Sequence, residues 1–315
     1  MKAKNFFKKF GIVLVLIALC VFFSIATKGT FIKPENILNV ARQVAMIGIC
    51  AVGMAIVMIT GGMDLSVGSL QGLLGVVTAL MMTQGGFPIW LAILCALAIG
   101  TCLGLFHGVL FNTIGIPPMI ITLAMYTSYR GLAYVISGGT PVFGFDESFA
   151  IIGQGYIWFL PIPVVIMAVV MIFGWFLLTK TSLGRYIYGI GGNEEACRLS
   201  GVNIKGMRLF IYGMSGFLAA LAAVVLLSRV NSGQPKSGTG FEFEVITAVV
   251  LGGVSIKGGA GNIWGVLVGV LIMGVMKNGF VLMNVNEYFQ MVLQGFVLLA
   301  AVGFDILMNR PRKLS

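Results

Sequence analysis

The sequence predicts an all-α, polytopic integral membrane protein with about ten transmembrane helices and glycine-rich helix breaks. Of its 315 residues, 58% are hydrophobic and only 10% are charged, and the mean hydropathy is +1.03. A soluble protein carries roughly 25% charged residues, so this composition excludes a water-soluble globular enzyme. The apolar residues also form separate runs, most of them near the length of about 20 residues that crosses a bilayer. We therefore expect residues 1–315 to form a single transmembrane domain.

Short polar or glycine-rich segments separate the apolar runs. The ten runs lie at residues 11–27, 44–59, 67–82, 89–111, 119–136, 162–178, 209–227, 244–254, 263–283 and 289–307. The first run ends near the small residues Ser24 and Ala26, so a signal peptide is one interpretation. We favour an uncleaved span, because the later chain never leaves the membrane for long. The eighth run is about half a span, so it either extends upstream or is a broken helix whose ends face protein or water.

Positive charges predict the orientation of the chain. Lysine and arginine number 20 against 10 acidic residues, which gives a net charge of +10. With ten spans and the N-terminus inside, thirteen of these cations fall in cytoplasmic segments and five in external ones. Cytoplasmic loops carry an excess of lysine and arginine. We therefore expect both termini to be cytoplasmic. The loop at about residues 180–208 is then the longest cytoplasmic loop.

Few side chains indicate catalytic or metal chemistry. The five cysteines form no CxxC pair and four lie in apolar runs, so we expect neither a disulfide framework nor a metal site. The only histidine, His107, is expected to be a hydrogen-bonded structural residue, with a proton relay as the alternative. Arg130 and Lys277 lie inside or near spans, where a lone cation either snorkels or serves transport. We predict no cofactor.

Glycine, which occurs 44 times, predicts close helix packing. Gly100, Gly104 and Gly108 are spaced four residues apart, and Gly261, Gly265 and Gly269 repeat that spacing. On a helix this spacing places bare backbone along one face, where a neighbouring helix can approach closely. The pattern indicates a compact bundle and does not distinguish one function from another.

A first polar, glycine-rich segment separates the second and third apolar runs. Its candidate residues are Thr60, Gly61, Gly62, Asp64 and Ser66. Asp64 and Ser66 stand just before an apolar run, where their side chains are suited to cap the third helix. The functional alternative is that this segment lines a solute path at a helix break.

A second segment lies in the long cytoplasmic loop and has the pattern of a short capped helix. Asn193 precedes Glu194, Glu195 and Ala196, and Gly201 follows as a stop. A short helix alone in the cytoplasm is marginal, so we expect it to dock on a partner. The alternative is a solvated connector.

The chain shows no energy source of its own. It contains no Gly-Lys dipeptide, hence no GxxxxGK[ST] phosphate-binding loop. It also has no set of paired intramembrane carboxylates for proton or sodium coupling. A transporter-like chain that lacks both a nucleotide-binding loop and ion-coupling carboxylates indicates a subunit whose transport is driven by another protein.

A third segment, residues 238–262, contains the pair Gly252-Gly253 at the end of an apolar run. Gly61-Gly62 stands in the same position after the second run, which hints at an internal repeat.

In this order and spacing, the three segments resemble the membrane permease of bacterial ABC importers for monosaccharides, the ribose/xylose/galactose type. The resemblance rests on residues 60–69, 191–202 and 240–261, on Asn278-Gly279 and on residues 117–123, and it covers essentially the whole chain. The sequence departs from the family pattern at several positions: Cys197, Phe243, Glu244, Thr247, Pro118, Met119 and Lys277. These departures bear on substrate identity more than on family membership.

The resemblance implies a permease homodimer or pseudo-dimer in the bacterial cytoplasmic membrane, with no enzymatic activity of its own. Its implied partners are two copies of a sugar-type ATPase on the cytoplasmic side and an extracytoplasmic sugar-binding protein. The residues implied to couple to the ATPase are Asn193, Glu194, Glu195, Ala196, Arg198, Leu199 and Gly201. Those assigned to the translocation path or a helix break are Thr60, Gly61, Gly62, Asp64, Ser66, Gly252, Gly253, Ser255 and Asn278.

Other transport functions share this architecture. A permease for a nucleoside, autoinducer-2 or a branched-chain amino acid is an alternative, because the binding protein carries most of the selectivity. A stand-alone secondary transporter is a further alternative, which gradient-driven uptake without an ATPase would reveal.

The charge distribution predicts that Ser200 faces the cytoplasm. A Ser200→Cys variant, made in a chain lacking the five native cysteines, should react with a membrane-impermeant maleimide only after the cells are permeabilised. Labelling of the same cysteine in intact cells would contradict the orientation.

Overall fold

Helices dominate the computed structural model, which describes residues 2–308. Over this range the chain forms twelve α-helices. They are α1 (Lys2–Ala26), α2 (Pro34–Ile59), α3 (Val67–Thr83), α4 (Ile89–Ile114), α5 (Pro118–Ser137), α6 (Ile151–Gln154), α7 (Ile162–Lys180), α8 (Ser182–Leu199), α9 (Ile204–Val230), α10 (Phe241–Leu251), α11 (Ile263–Leu282) and α12 (Glu287–Met308). Two 3-10 turns, Thr30–Ile32 and Glu147–Ala150, and a small antiparallel hairpin of β1 (Tyr156–Ile157) and β2 (Leu160–Pro161) lie in the connections. The predicted all-α class is confirmed.

Each of the ten apolar runs coincides with the apolar part of a separate helix. Six helices in the described range are long and apolar enough to cross a membrane: α2, α4, α5, α7, α9 and α11. Three shorter apolar segments, Gly11–Ala26, Val67–Thr83 and Glu287–Gly303, belong to α1, α3 and α12. The eighth run forms α10, which has only 11 residues, as the broken-helix interpretation predicted. The chain is thus a multi-pass helical protein, while the count of ten crossings stays a prediction.

Helix α2 lies at the centre of the bundle. From Val44 to Ile59 every residue except Met46 is buried. The helices α7, α9, α10 and α11 surround it. A helix that is apolar on all sides is typical of the core of a large bundle, so α2 is the axis on which the other spans pack.

The first glycine series packs α4 closely against α9. A Cβ at Gly104 would overlap the carbonyl oxygen of Tyr212, and a Cβ at Gly100 would lie 2.7 Å from that of Gly216. Real Cβ atoms do not approach backbone oxygens so closely, and glycine is required for this contact. The predicted close packing of these helices is confirmed.

The second glycine series packs α11 against α10. A Cβ at Gly265 would overlap the carbonyl oxygen of Gly252, and a Cβ at Gly269 would overlap that of Ala248. Gly261 lies two residues before α11 and contacts Val254 instead. The short helix α10 is therefore held backbone to backbone against a full-length neighbour.

Helices α2 and α10 end in the same backbone turn. Gly61 and Gly253 both adopt a left-handed conformation with φ of 83°. In each turn, the amide one residue after this glycine donates to the carbonyl five residues earlier, at 3.1 Å after α2 and 3.2 Å after α10. This is the hydrogen bond that closes a Schellman turn. The two glycine pairs noticed in the sequence thus form equivalent turns.

The segments predicted to be cytoplasmic lie together at one end of the bundle. Glu194 pairs with Arg208 at 2.7 Å, and the side chain of Asn112, near the end of α4, donates to the carbonyl of Lys205 at 2.9 Å. At the other end, Val142 and Gly233 exchange backbone hydrogen bonds between two segments predicted to be external. The helix directions are thus consistent with the predicted threading.

Candidate functional site

The three segments singled out in the sequence meet at one place, the glycine junction, which comprises residues 59–62, 188–192 and 258–261. The amide of Gly259 donates to the carbonyl of Ile59 at 2.8 Å. A Cβ at Gly191 would overlap that same carbonyl oxygen and lie 2.5 Å from the Gly259 nitrogen. Tyr188 donates its hydroxyl to the carbonyl of Gly261 at 2.7 Å. Three chain segments that are far apart in sequence therefore touch through their backbones.

The hydrogen bond from Tyr188 strengthens this junction. Burial raises the pKa of the Tyr188 phenol above its ordinary value, so the hydroxyl stays protonated and available as a donor at neutral pH. Thr60, the residue that follows α2, donates its hydroxyl to the carbonyl of Val57 at 2.7 Å. The hydroxyls of Tyr188 and Thr60 thus each add a hydrogen bond to a backbone carbonyl at or beside the junction.

The coupling segment has the local structure predicted from its sequence. Helix α8 is interrupted at Asn193, whose φ of −160° and ψ of 97° are not helical. The side-chain oxygen of Asn193 accepts the amide of Ala196 at 2.9 Å, which is the geometry of an N-cap. Gly201 has φ of 83° and ends the turn. Residues 194–199 therefore form a short capped helix, the coupling helix.

The coupling helix presents a largely free surface. Leu199 is 80% exposed, and Ala196 is also exposed. Glu195 and Arg198 pair with each other at 2.6 Å while both stay exposed, a kind of ion pair that adds little stability. An exposed leucine beside a small residue and a charged pair is suited to contact a partner protein.

Asp64 lies in a buried hydrogen-bonded corner and is only 1% exposed. One carboxylate oxygen accepts the amide of Ser66 at 3.0 Å and its hydroxyl at 2.6 Å. The other accepts the hydroxyl of Ser215 on α9 at 2.7 Å. Asp64 thus ties the turn between α2 and α3 to α9.

The predicted side-chain cap of α3 is wrong. Ser66 occupies the N-cap position, but its side chain makes no capping hydrogen bond. The carboxylate of Asp64 binds the amide of Ser66 itself and not one within the first turn of the helix. The reason is a tertiary contact, because the other carboxylate oxygen of Asp64 accepts a hydrogen bond from Ser215 on α9.

His107 is a buried, hydrogen-bonded residue, as the structural interpretation predicted. It is 1% exposed, and its Nε2 lies 2.9 Å from the hydroxyl of Tyr129 on α5. The two rings are stacked with centroids 5.8 Å apart. This contact joins α4 to α5.

Neither of the two intramembrane cations is isolated. Arg130 donates to the backbone carbonyls of Pro235 and Ser237, at 2.6 Å each, in the segment before α10. Lys277 forms an ion pair with Glu244 at 2.6 Å, between α11 and α10. Both cations therefore contact the α10 region, and neither is a lone cation as the sequence suggested.

Asn278 does not lie at a helix break. It is buried inside α11, and its amide exchanges two hydrogen bonds of 2.9 Å with the amide of Asn36 on α2. Asn36 is about 35 Å along α2 from Ile59, at a rise of about 1.5 Å per residue. Asn278 therefore belongs to the opposite end of the bundle from the glycine junction.

The remaining predicted residues lie in the turn that follows α10. Gly252 directly follows α10, and Gly253 takes the left-handed conformation described above. The amide of Ser255 donates to the carbonyl of Ala260 at 3.0 Å, which closes the loop before α11. Ser255 is 5% exposed. This loop carries the glycines that reach the junction.

Sequence reasoning missed several polar residues that the fold buries wholly or in part. Ser215 and Tyr188 showed no motif of their own, because their partners are distant in sequence. Glu242 lies in the first turn of α10 and is 2% exposed. Gln71 on α3 is 1% exposed. A polar residue in an otherwise apolar run was the available signal for Gln71.

The geometry predicts that Asp64 acts as a hydrogen-bond acceptor that holds the α2–α3 turn. Asp64→Asn should leave thermal stability of the purified protein close to that of the wild type, because an amide oxygen still accepts from Ser66. Asp64→Leu leaves the Ser66 and Ser215 donors unpaired, which costs about 1–3 kcal/mol for each buried group. A midpoint of thermal aggregation in detergent measures the difference.

Ser215→Ala serves as the control for this prediction, because it removes one donor and keeps the carboxylate bound to Ser66. Its midpoint should lie between those of the wild type and Asp64→Leu. Equal losses for Asp64→Asn and Asp64→Leu would instead point to a requirement for the negative charge.

Comparison with known proteins places the chain in a family. The family described as the permease component of the branched-chain amino acid transport system matches residues 36–302. The chain is 42% identical to the ribose import permease protein RbsC of Haemophilus influenzae, over 87% of this chain and 86% of that protein. It is also 42% identical to RbsC of Bacillus subtilis, over 95% and 92% of the two chains.

A more distant relative is the xylose transport system permease protein XylH of Haemophilus influenzae, which is 33% identical over 93% of this chain and 95% of that protein. No solved structure matches the chain significantly. The family match covers most of the chain, and the relatives are similar over nearly their full lengths. The chain therefore belongs to this family of transport-system membrane permeases.

Proposed function

We propose that this chain is the permease subunit of an ATP-driven, binding-protein-dependent importer of a ribose-type monosaccharide. The observation that carries this proposal is the 42% identity to ribose import permeases along nearly the whole chain. In this role the chain forms the translocation path and performs no chemistry. ATP hydrolysis belongs to a separate subunit.

The proposed ATPase contact is the coupling helix. Its exposed Leu199 and Ala196 offer an apolar centre, and the Glu195–Arg198 pair offers a polar rim. This composition resembles that of protein interfaces, where a few apolar anchors provide most of the binding energy. Two copies of the permease and an extracytoplasmic sugar-binding protein complete the proposed assembly.

The proposed topology has ten crossings with both termini in the cytoplasm. Its support is the thirteen-to-five distribution of cations, which places the coupling helix inside. The grouping of helix ends described above supports the same threading. Asp64 and the turns after α2 and α10 then lie toward the cytoplasmic half of the path.

Ribose is a better candidate substrate than xylose or a branched-chain amino acid. The ribose permeases are 42% identical to this chain and the xylose permease is 33% identical. The description of the family names branched-chain amino acids, so an amino acid is the second candidate. A transport assay that includes all three solutes separates these possibilities.

The proposal predicts ATP-dependent ribose uptake by proteoliposomes that contain the permease together with its partner ATPase and binding protein. Ribose should accumulate only when ATP is supplied on the side of the membrane that carries the ATPase. Leucine should not accumulate under the same conditions. Uptake of leucine without ribose would favour the amino acid alternative, and gradient-driven uptake without the ATPase would indicate a secondary transporter.

Variants of the coupling helix test the proposed ATPase contact in the same preparation. Leu199→Asp and Ala196→Trp should each weaken co-purification of the ATPase by about tenfold or more, because a central interface anchor contributes about 2 kcal/mol. Glu147→Gln, at the opposite end of the bundle, should retain the ATPase. Normal ATPase stoichiometry in both coupling-helix variants would contradict the assignment.

A further inference from the structure

We propose that Gly191 is a positioning residue that passes movement of the coupling helix directly to the turns after α2 and α10. This inference rests on the proposed function, because it concerns how an ATPase would drive the path. The structure places Gly191 two residues before Asn193, where α8 breaks and the coupling helix begins. This short connection is therefore the route by which a displacement of that helix reaches α8, while the other end of the helix leads into α9.

The three atoms nearest to a Cβ at Gly191 are all backbone atoms. Its Cα faces the carbonyl of Ile59 at the end of α2 and the amide of Gly259 in the loop between α10 and α11. Those two groups are hydrogen-bonded to each other at 2.8 Å. A movement of Gly191 therefore acts on both turns at once, with no flexible side chain between them.

The glycines that face Gly191 across this contact also have little conformational freedom. Gly258 and Gly259 both have positive φ, at 84° and 74°, so they are fixed in conformations that favour glycine. A Cβ at Gly258 would lie 2.9 Å from the amide nitrogen of Gly61. Gly61 in turn leads to Asp64, whose carboxylate holds α9 through Ser215.

A second contact ties the same stretch of α8 to the loop. Tyr188, one turn before Gly191, donates to the carbonyl of Gly261 at 2.7 Å. The loop is thus held at two points along α8, and it should follow α8 as a rigid unit. Close-packed interiors transmit displacement because they resist compression.

The neighbouring glycine provides a matched control. A Cβ at Gly192 would meet no atom within 4 Å, whereas a Cβ at Gly191 would overlap the carbonyl oxygen of Ile59. Neither glycine has positive φ, so alanine changes the backbone preference of both in the same way. Only Gly191→Ala pushes the coupling helix away from the two turns.

The test measures the ribose molecules imported per ATP hydrolysed, in proteoliposomes of the full complex with its ATPase and binding protein. Gly191→Ala should lower this ratio by at least about tenfold, because a fitted contact tolerates added bulk poorly. Co-purification and basal activity of the ATPase should stay within about twofold of the wild type, since the coupling helix itself is unchanged. Gly192→Ala should match the wild type in all three measurements.

Tyr188→Phe tests the same relay without added bulk and is decisive if Gly191→Ala does not assemble. It removes the hydrogen bond to Gly261 and should lower the ratio of ribose to ATP severalfold. Tyr186→Phe is the control, because the Tyr186 side chain is 40% exposed.

The inference would be overturned if Gly191→Ala imported as much ribose per ATP as the wild type. If Gly191→Ala fails to assemble, a wild-type ratio of ribose to ATP in Tyr188→Phe would overturn it. A wild-type complex that imports no ribose would instead overturn the proposed function. The two failures are therefore distinguishable.

Discussion

The end of a helix leaves backbone amides and carbonyls that need hydrogen-bond partners, and this constraint shapes the end of the bundle at which the glycine junction lies. Helix α2 ends at Ile59 and α10 ends at Leu251, both in a left-handed glycine turn. The carbonyl of Ile59 finds its partner in the amide of Gly259. This hydrogen bond brings the end of α2 and the loop after α10 together, and α8 is close enough to join them only because Gly191 has no side chain.

The rest of the bundle divides into a rigid part and an open part. Helices α2, α4 and α9 are joined through buried apolar faces and the glycine strip on α4, which leaves little room for relative movement. By contrast, α5 and α12 expose large apolar side chains such as Val135 and Leu299. Such faces are stable against lipid or a second copy of the chain. Polar contacts hold α10 from two sides, since Arg130 ties α5 to the segment before α10 and Lys277 ties α11 to α10.

Much of the fold follows from the sequence, because hydropathy and local caps are properties of short segments. The positions of the ten apolar runs agreed with separate helices, and the Asn193 cap and the Gly201 stop were predicted from residue types alone. These features depend on neighbours within a few residues. The composition of the second segment therefore contained enough information to predict a short helix.

The partners of polar residues could not be predicted in the same way. Asp64 was expected to cap α3, yet its carboxylate is shared with Ser215, which lies 151 residues away. Asn278 was assigned to a path or a break, but Asn36 binds it at the other end of the bundle. Lys277 and Glu244, both departures from the family pattern, turned out to pair with each other. Contacts of this kind depend on tertiary packing, which the order of residues does not reveal.

The central claim is that the coupling helix and the two turns move as one body. Electron paramagnetic resonance can measure the distance between spin labels at Ser200→Cys and Lys257→Cys, two exposed positions on either side of the glycine junction, in complexes with one labelled permease copy. The account predicts the same distance in the nucleotide-free complex and in the complex trapped with ATP and vanadate. A change of more than about 5 Å, the pitch of one helical turn, would contradict it.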